Sequence, residues 1–454
     1  MITTKDKIKI LLINPWITDF AAYNLWSEPL GLLYIGAILR ESGASVYLLD
    51  CILSRKKPPP KLLDDGRSKF ERRIIEKPEP LKFVNRRYAI YGISEEEAIN
   101  YLELIPKPDV ILITSGMTYW YPGVFRAIKL VKKYYSSTVP VILGGIYAKL
   151  CYSHATTFSE ADLVYISDNI SELLRKIEGI TGKNFKEIKK YRSFNDYPIP
   201  LHQLGGKRKF IAVLTSKGCP FRCTYCASYL LNPKHEKRKI SPIIEEIKRH
   251  AAEASKPNVA FYDDALLVNS DNHLIPILEK IIEIGRIGIH LPNGIHASLI
   301  TPNIARLFRE AGVKYIRLGL ETAIPEIQIK TGKKVENTEF IRAVDYLRGV
   351  GYKPGEIGCY ILAGLPGQSP GDVEKTITFV RKVGASPYIA LFSPIPNTPS
   401  WEETKKLTDL DIDREPLFHN NTIFTLRNPA FGEKAVKELK NMALEIRREL
   451  NSNS

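Results

Sequence analysis

Short apolar runs alternate with amphipathic stretches along most of the chain. Lys9-Ile-Leu-Leu-Ile-Asn-Pro15 is an apolar run ended by proline, the pattern of a buried strand. Leu30 to Arg40 carries helical apolar spacing and stops before Gly43, a helix with its C-terminal cap. Val46 to Asp50 predicts a second strand, and Val110 to Thr114 a third. A helix from about Gly123 to Tyr135 and a strand from Val139 to Gly145 follow. Strands that alternate with helices in this way predict a parallel sheet covered on both faces, over residues 1–175.

From Phe210 the unit of strand, loop and helix repeats. Strands are predicted at Phe210 to Thr215, Val259 to Tyr262, Gly288 to Leu291, Tyr315 to Leu320, Ile357 to Leu362 and Tyr388 to Phe392. Six such units suit an open barrel over residues 206–400, with a linker over 176–205 before it. A helical extension over 401–454 ends in one amphipathic charged helix, Gly432 to Leu450. The fold class is α/β, with 51–106 set into the first domain as a basic insertion.

The distinctive chemistry lies just after the first barrel strand, in Gly218-Cys-Pro-Phe-Arg-Cys-Thr-Tyr-Cys-Ala227. Cys219, Cys223 and Cys226 form a CxxxCxxC triplet, one thiolate short of what structural zinc or most iron–sulfur clusters need. No fourth Cys or His follows at zinc-like spacing; the next His is His235. Three thiolates on a four-iron cubane leave one iron open to a substrate. A metal knuckle or a disulfide pair is the plain alternative. Cys51, Cys151 and Cys359 are scattered and read as small apolar core residues.

The triplet, with Tyr225 just before its last cysteine, closely resembles the signature of the radical S-adenosylmethionine (SAM) enzymes. The resemblance implies a 4Fe–4S cluster on Cys219, Cys223 and Cys226, SAM chelated by the open iron, and reductive cleavage of SAM to a 5′-deoxyadenosyl radical by an external one-electron donor. Further segments match in order. Asp263 and Asp264 end the second strand and resemble the segment that holds the SAM amino group. Arg317-Leu-Gly-Leu-Glu-Thr322 resembles a Gly-x-Glu-Ser segment, placing Glu321 near SAM; an ion pair of Glu321 with Arg317 or Lys333 is the alternative. Tyr360 to Ser369 resembles the segment around the adenine, with Gly364 and Gly367 allowing close approach. His296 is either a cavity residue or a satisfied loop histidine.

The order Ile-Asn-Pro15, Pro29 to Leu39, Asp50, Thr114 and Leu143-Gly-Gly145 resembles the Rossmann-like cobalamin-binding-type domain that precedes many radical SAM barrels of partial (β/α)6 TIM type. Gly116, Gly144 and Gly145 would let a large ligand approach, with Trp16, Trp26, Tyr119 and Trp120 as flat apolar walls. The Asp-x-His-x-x-Gly motif of some cobalamin proteins is absent, and no His precedes His154. Cobalamin is therefore a cofactor the resemblance allows, with a domain that only shapes the cavity as the alternative. No GxGxxG follows the first strand, which argues against a dinucleotide.

Length, composition and charge narrow the setting. At 454 residues the chain should hold two or three domains. It lacks a signal-peptide pattern and any apolar run of membrane-spanning length, so a cytoplasmic protein that does not cross a membrane is expected. The net charge of +15, concentrated between Arg55 and Arg87, is compatible with nucleic acid, anionic lipid or a phosphorylated substrate. A solvated basic surface accounts for it better, since no RNA-binding signature accompanies it.

The expected function is radical chemistry at an unactivated carbon of an unidentified small-molecule, lipid or peptide substrate. With cobalamin it becomes methyl transfer, and without it rearrangement, coupling or oxidation. A methylthiotransferase would need three N-terminal cysteines for a second cluster, and only Cys51 and Cys151 precede the barrel. The non-enzymatic alternative is an iron–sulfur electron carrier.

Overall fold

The computed structural model describes residues 7–206, 208–428 and 430–452. Contacts divide them into two units: one runs to Lys209 and includes Arg414–Leu417, and the other comprises Phe210–Asp413 and the chain from Phe418 onward. Among the described residues, no helix is long and apolar enough to cross a membrane.

In the first unit Lys9–Asn14 pairs in parallel with Ser45–Asp50 on one side and Val110–Ile113 on the other, and Val141–Leu143 and Leu163–Val164 complete the sheet. The period of two along the first strand sends Ile10 and Leu12 into one core and Leu11 and Ile13 into another, on opposite faces. Numbered by sequence, the strands lie in the order two, one, three, four, five. That order reverses between strands one and three, where doubly wound sheets bind ligands outside the carboxyl ends.

Residues 176–205 pack on this unit: Phe194 and Tyr197 set their rings edge-on to Tyr34, with centroids 5.3 and 6.0 Å away. At the end of the second strand Arg208 reaches Asp50 at 2.6 Å, and His202 lies 3.1 Å from the buried Glu28.

The 51–106 insertion adds Ala89–Tyr91 and Arg72–Ile74 to Ile17–Asp19 in a three-stranded antiparallel sheet, followed by the helix Glu95–Glu103. Many of its basic side chains fasten it internally. Lys57 pairs with Glu71, Arg67 with Asp65 and Lys82 with Glu79. Arg73 and Lys77 donate to the carbonyls of Ile93 and Val84. These contacts hold several of the cationic heads against the insertion itself, leaving its net charge as the sequence has it.

The second unit is an open barrel of six parallel strands: Phe210–Val213, Asn258–Phe261, Gly288–His290, Ile316–Glu321, Ile357–Ala363 and Ser386–Leu391. Its ladder breaks within the third strand. Gly288–His290 pairs with the second strand, and the continuation Ile295–His296 pairs instead with the fourth. Pro292 sits in the gap and has no N–H to carry the ladder across. The C-terminal helix, Gly432–Ser452, buries Val436, Leu439 and Ile446 in the barrel's core. Its Arg447 donates to the Pro387 carbonyl of the last strand at 2.9 Å, covering an otherwise open sheet edge.

Candidate active site

The barrel's first strand feeds a long excursion closed at its foot by an antiparallel pair, Ser216–Lys217 with Glu236–Lys237. The cysteines lie inside it. Gly218, at φ +78°, lets the two sides of the foot touch: a Cβ there would stand 2.3 Å from the Lys234 carbonyl oxygen. Buried Arg238 holds the returning side, with Nη2 2.8 Å from Glu246 and Nη1 donating to the Leu214 carbonyl at 2.9 Å.

Asp263 anchors the outgoing side. Its Oδ1 accepts from the Thr215 hydroxyl at 2.7 Å, the Ser216 N–H at 2.5 Å and the Ser216 hydroxyl at 2.6 Å, and its Oδ2 accepts from the Thr215 N–H at 3.1 Å. Burial pushes this carboxyl above its usual range, against the pull of those bonds. Asp264 turns the other way, toward Ser228 and the Gly218 backbone on the cysteine excursion; burial raises its carboxyl too. The two adjacent acids thus face different tasks.

Cys219 and Cys223 are buried and Cys226 is partly so; none of the three is in a disulfide. The Ser228 N–H donates to Cys226 Sγ at 3.5 Å. Burial pushes the Cys219 thiol up to about 11 and raises that of Cys223, with Lys334 opposing the second shift. A metal must therefore displace protons to bind here. Among the described residues, no three His, Cys, Asp or Glu side chains converge closely enough to hold one ion. Three thiols free of disulfides on one excursion could give one ligand to each of three irons of a cubane.

Glu321 ends the fourth strand at φ +68°, a left-handed conformation that is costly for a non-glycine residue, where the register to the fifth strand shifts. Its Oε1 lies 2.9 Å from Lys334 Nζ. The ion pair anticipated with Arg317 or Lys333 is made by neither. Arg317 stacks on Tyr388 at 4.1 Å, and Lys333 pairs with Glu336 at 2.8 Å. Gly319 makes room for the pair, since a Cβ there would sit 2.6 Å from Lys334 Nζ and 2.9 Å from Glu321 Oε1. The nearest atoms are side-chain tips, so Gly319→Ala should change stability by less than about 1 kcal/mol.

Tyr225 packs against Leu365, Phe392 and Phe424, and its hydroxyl hydrogen-bonds Cys223. Burial, with Glu321 adding to it, holds that hydroxyl far above the tyrosine range. His296 is buried and stacks on Phe221 of the cysteine excursion, centroids 4.5 Å apart; burial drives its imidazole down to about 3, so it is neutral. Gly364, at φ +97°, gives its N–H to Gln368 Oε1 at 2.9 Å, and Gln368 returns a bond to the Leu362 carbonyl at 3.0 Å. Sequence reasoning missed Gln368, Arg238 and Lys334.

In the first unit the aromatic walls turn inward. The indoles of Trp16, Trp26 and Trp120 donate to Ile93 O, Asp65 O and Asp19 Oδ2, and Tyr119 is buried. Gly116 lies beneath the Trp120 ring, and Gly145, at φ +93°, packs on Ser115. Gly144 faces the Tyr165 carbonyl. Exposed apolar side chains just past the carboxyl ends of the strands include Tyr23, Leu25, Met117, Ile146 and Ile166. His154, the first histidine, is engaged with the Tyr147 hydroxyl at 2.6 Å. Cys51 is fully buried among apolar side chains, whereas Cys151 is only partly so.

Residues 213–380 match the radical SAM superfamily. The barrel therefore carries a radical SAM domain. Over 346 residues it is 26% identical to an uncharacterized methyltransferase of Pyrococcus horikoshii, covering 69% of this chain and 73% of that one. It is 24% identical over 283 residues to a hopanoid C-2 methylase of Rhodopseudomonas palustris, covering 59% of this chain and 53% of the relative. The radical SAM methyltransferase TsrM of Kitasatospora setae, solved with cobalamin and a [4Fe-4S] cluster bound, shares the fold. Its TM-score is 0.64 at 15% identity, over 98% of this chain and 89% of that one. Here a Rossmann-like parallel domain precedes the barrel in the chain.

Proposed function

We propose that this protein is a radical SAM methyltransferase. Cys219, Cys223 and Cys226 hold a 4Fe–4S cluster, SAM lies against Asp264 and Glu321, and the first unit holds cobalamin. The observation that carries the reading is one cluster of groups in the barrel. Three free thiols share a single excursion with Asp264 beside it, and Coulomb interactions tie Cys223 to Glu321 and Lys334. When bound, the cluster supplies the electron that cleaves the SAM sulfonium, and cobalamin carries the methyl group.

The chain's own contribution is placement. The Asp263 anchor fixes the cysteine excursion relative to the second strand. Asp264 and Glu321, at the ends of two strands, offer carboxylates to an ammonium. Tyr225, in the Leu365–Phe392–Phe424 patch, helps keep water from the thiols. Gly364 and Gly367, both with positive φ, shape the turn after the fifth strand where an adenine would lie. In the first unit, exposed Gly145 and half-exposed Gly116 and Gly144, with Met117, Ile146 and Leu25, offer a corrin an apolar rim. No imidazole is available from the early loops, so cobalt would be held without a histidine ligand.

Anaerobic reconstitution with iron, sulfide, dithionite and SAM should yield 5′-deoxyadenosine and a SAM-dependent change in the cluster's EPR spectrum; absence of both would reject the radical SAM reading. Optical titration with hydroxocobalamin should show saturable one-to-one binding at micromolar protein. A linear, unsaturated response would remove the methyltransferase assignment and leave a cobalamin-independent radical SAM enzyme.

A further inference from the structure

Lys334 stands apart from the sequence-predicted site, yet three separate contacts bring it there. The turn Thr331–Lys334 is pressed onto the cysteine excursion. The Thr224 N–H donates to the Thr331 carbonyl at 3.2 Å, and a Cβ on Gly332, at φ +107°, would stand 3.2 Å from the Cys223 Cα. Lys333, itself at φ +47°, turns out to solvent and Lys334 turns in. The Ser298 hydroxyl then holds the Lys334 carbonyl at 3.3 Å. The Lys334 side chain is only 13% exposed, and its ammonium meets Glu321 at 2.9 Å within Coulomb reach of Cys223 and Cys226. Gly319 leaves the space it occupies.

A buried ammonium is costly unless anionic groups compensate it. One carboxylate balances one ammonium, but the thiols become further negative charges once they bind iron. We infer that Lys334 is a positioning residue that sets the reduction potential of the cluster: its charge compensates the thiolates of Cys223 and Cys226, while its ion pair holds Glu321 in the left-handed conformation. One-electron reduction by an external donor adds a negative charge beside this ammonium, and at low local dielectric that charge is stabilised. Glu321 acts with the opposite sign. The inference rests on the cluster assignment above.

The sign of each effect makes it testable. After anaerobic reconstitution, iron and sulfide are assayed and the midpoint potential is read by EPR during dithionite titration. Lys334→Met should shift the potential negative, lowering the reduced-to-oxidised ratio at fixed potential about tenfold, about 59 mV for a one-electron couple. Glu321→Gln should shift it positive, the double variant should fall between the two, and Lys334→Arg should stay near wild type. Equal potentials in fully loaded Lys334→Met and wild type would overturn the inference, as would shifts of the same sign in Lys334→Met and Glu321→Gln. If Lys334→Met loads poorly, the Glu321→Gln and Lys334→Arg potentials still decide the sign. Wild-type protein that takes up no iron would instead strike at the cluster assignment itself.

Discussion

Cys223→Ala should leave both units folded and lower 5′-deoxyadenosine formation roughly a thousandfold or more, the scale expected when one member of a group acting as a unit is removed. The thiol is buried, hydrogen-bonded by Tyr225 and faced by Lys334. Cys51 and Cys359 are sealed in apolar cores, with their thiols held protonated by burial. Cys359→Ala is the matched control. It should cost about 1–2 kcal/mol of stability while leaving iron content unchanged. Iron and sulfide assay, product chromatography and denaturant unfolding separate the two outcomes. Retained cluster and product in Cys223→Ala would remove this residue from the ligand set.

Asp263→Ala should be the most destabilising single change at the site, by about 3–5 kcal/mol in the barrel's unfolding transition. Two backbone N–H groups and two hydroxyls converge on this carboxylate at the foot of the cysteine excursion, and the side chain is buried. Alanine leaves those four donors without their acceptor. Asp263→Asn keeps acceptor capacity and should fall between alanine and wild type. Because the excursion is anchored there, iron uptake should fall with stability. In Asp264→Asn, by contrast, stability and loading should be nearly kept and SAM affinity lost. If both variants behave alike in urea titration and in SAM binding, the division of labour between the two acids is wrong.

The adjacent acids show where sequence reading stops. Alternation predicts that Asp263 and Asp264 face opposite ways, but not which way the pleat points; that is set by the parallel register of the second strand against Phe210–Val213. The strands of both units were legible because parallel strands buried on both faces are continuous apolar runs, as Ile10 to Ile13 is. The cysteine triplet was legible because its spacing is rare. Lys334 carried no such signal: it is one of 65 basic residues and follows another lysine. Only the positive φ of Gly332 and Lys333, a property of the folded turn, decides which lysine enters the barrel. Trp16 and Trp120 were assigned to a ligand wall because an aromatic residue in a loop looks the same in sequence whether it lines a cavity or plugs one. Their indole N–H bonds to Ile93 and Asp19 show the second case. The insertion's charge was weighed in the sequence as a solvated surface, and the structure places Glu71 and Glu79 beside Lys57 and Lys82.

The gap at Pro292 has a mechanical side. Strands one to three and strands four to six form two panels of wall, joined in the ladder by the tetrapeptide Leu291–Gly294 and a bridge between Ile289 and Val313, and beyond it by the Thr224–Thr331 backbone bond. Asn293 latches the tetrapeptide to the first panel through the carbonyls of Tyr262 and Asp263. The thiols and Asp264 ride on one panel, Glu321 and Gly364 on the other. A cofactor that grips both therefore stitches a seam that the peptide backbone leaves largely unsewn. Part of its intrinsic affinity goes into stiffening the wall, and the slowing of amide exchange it causes should be greatest along that seam.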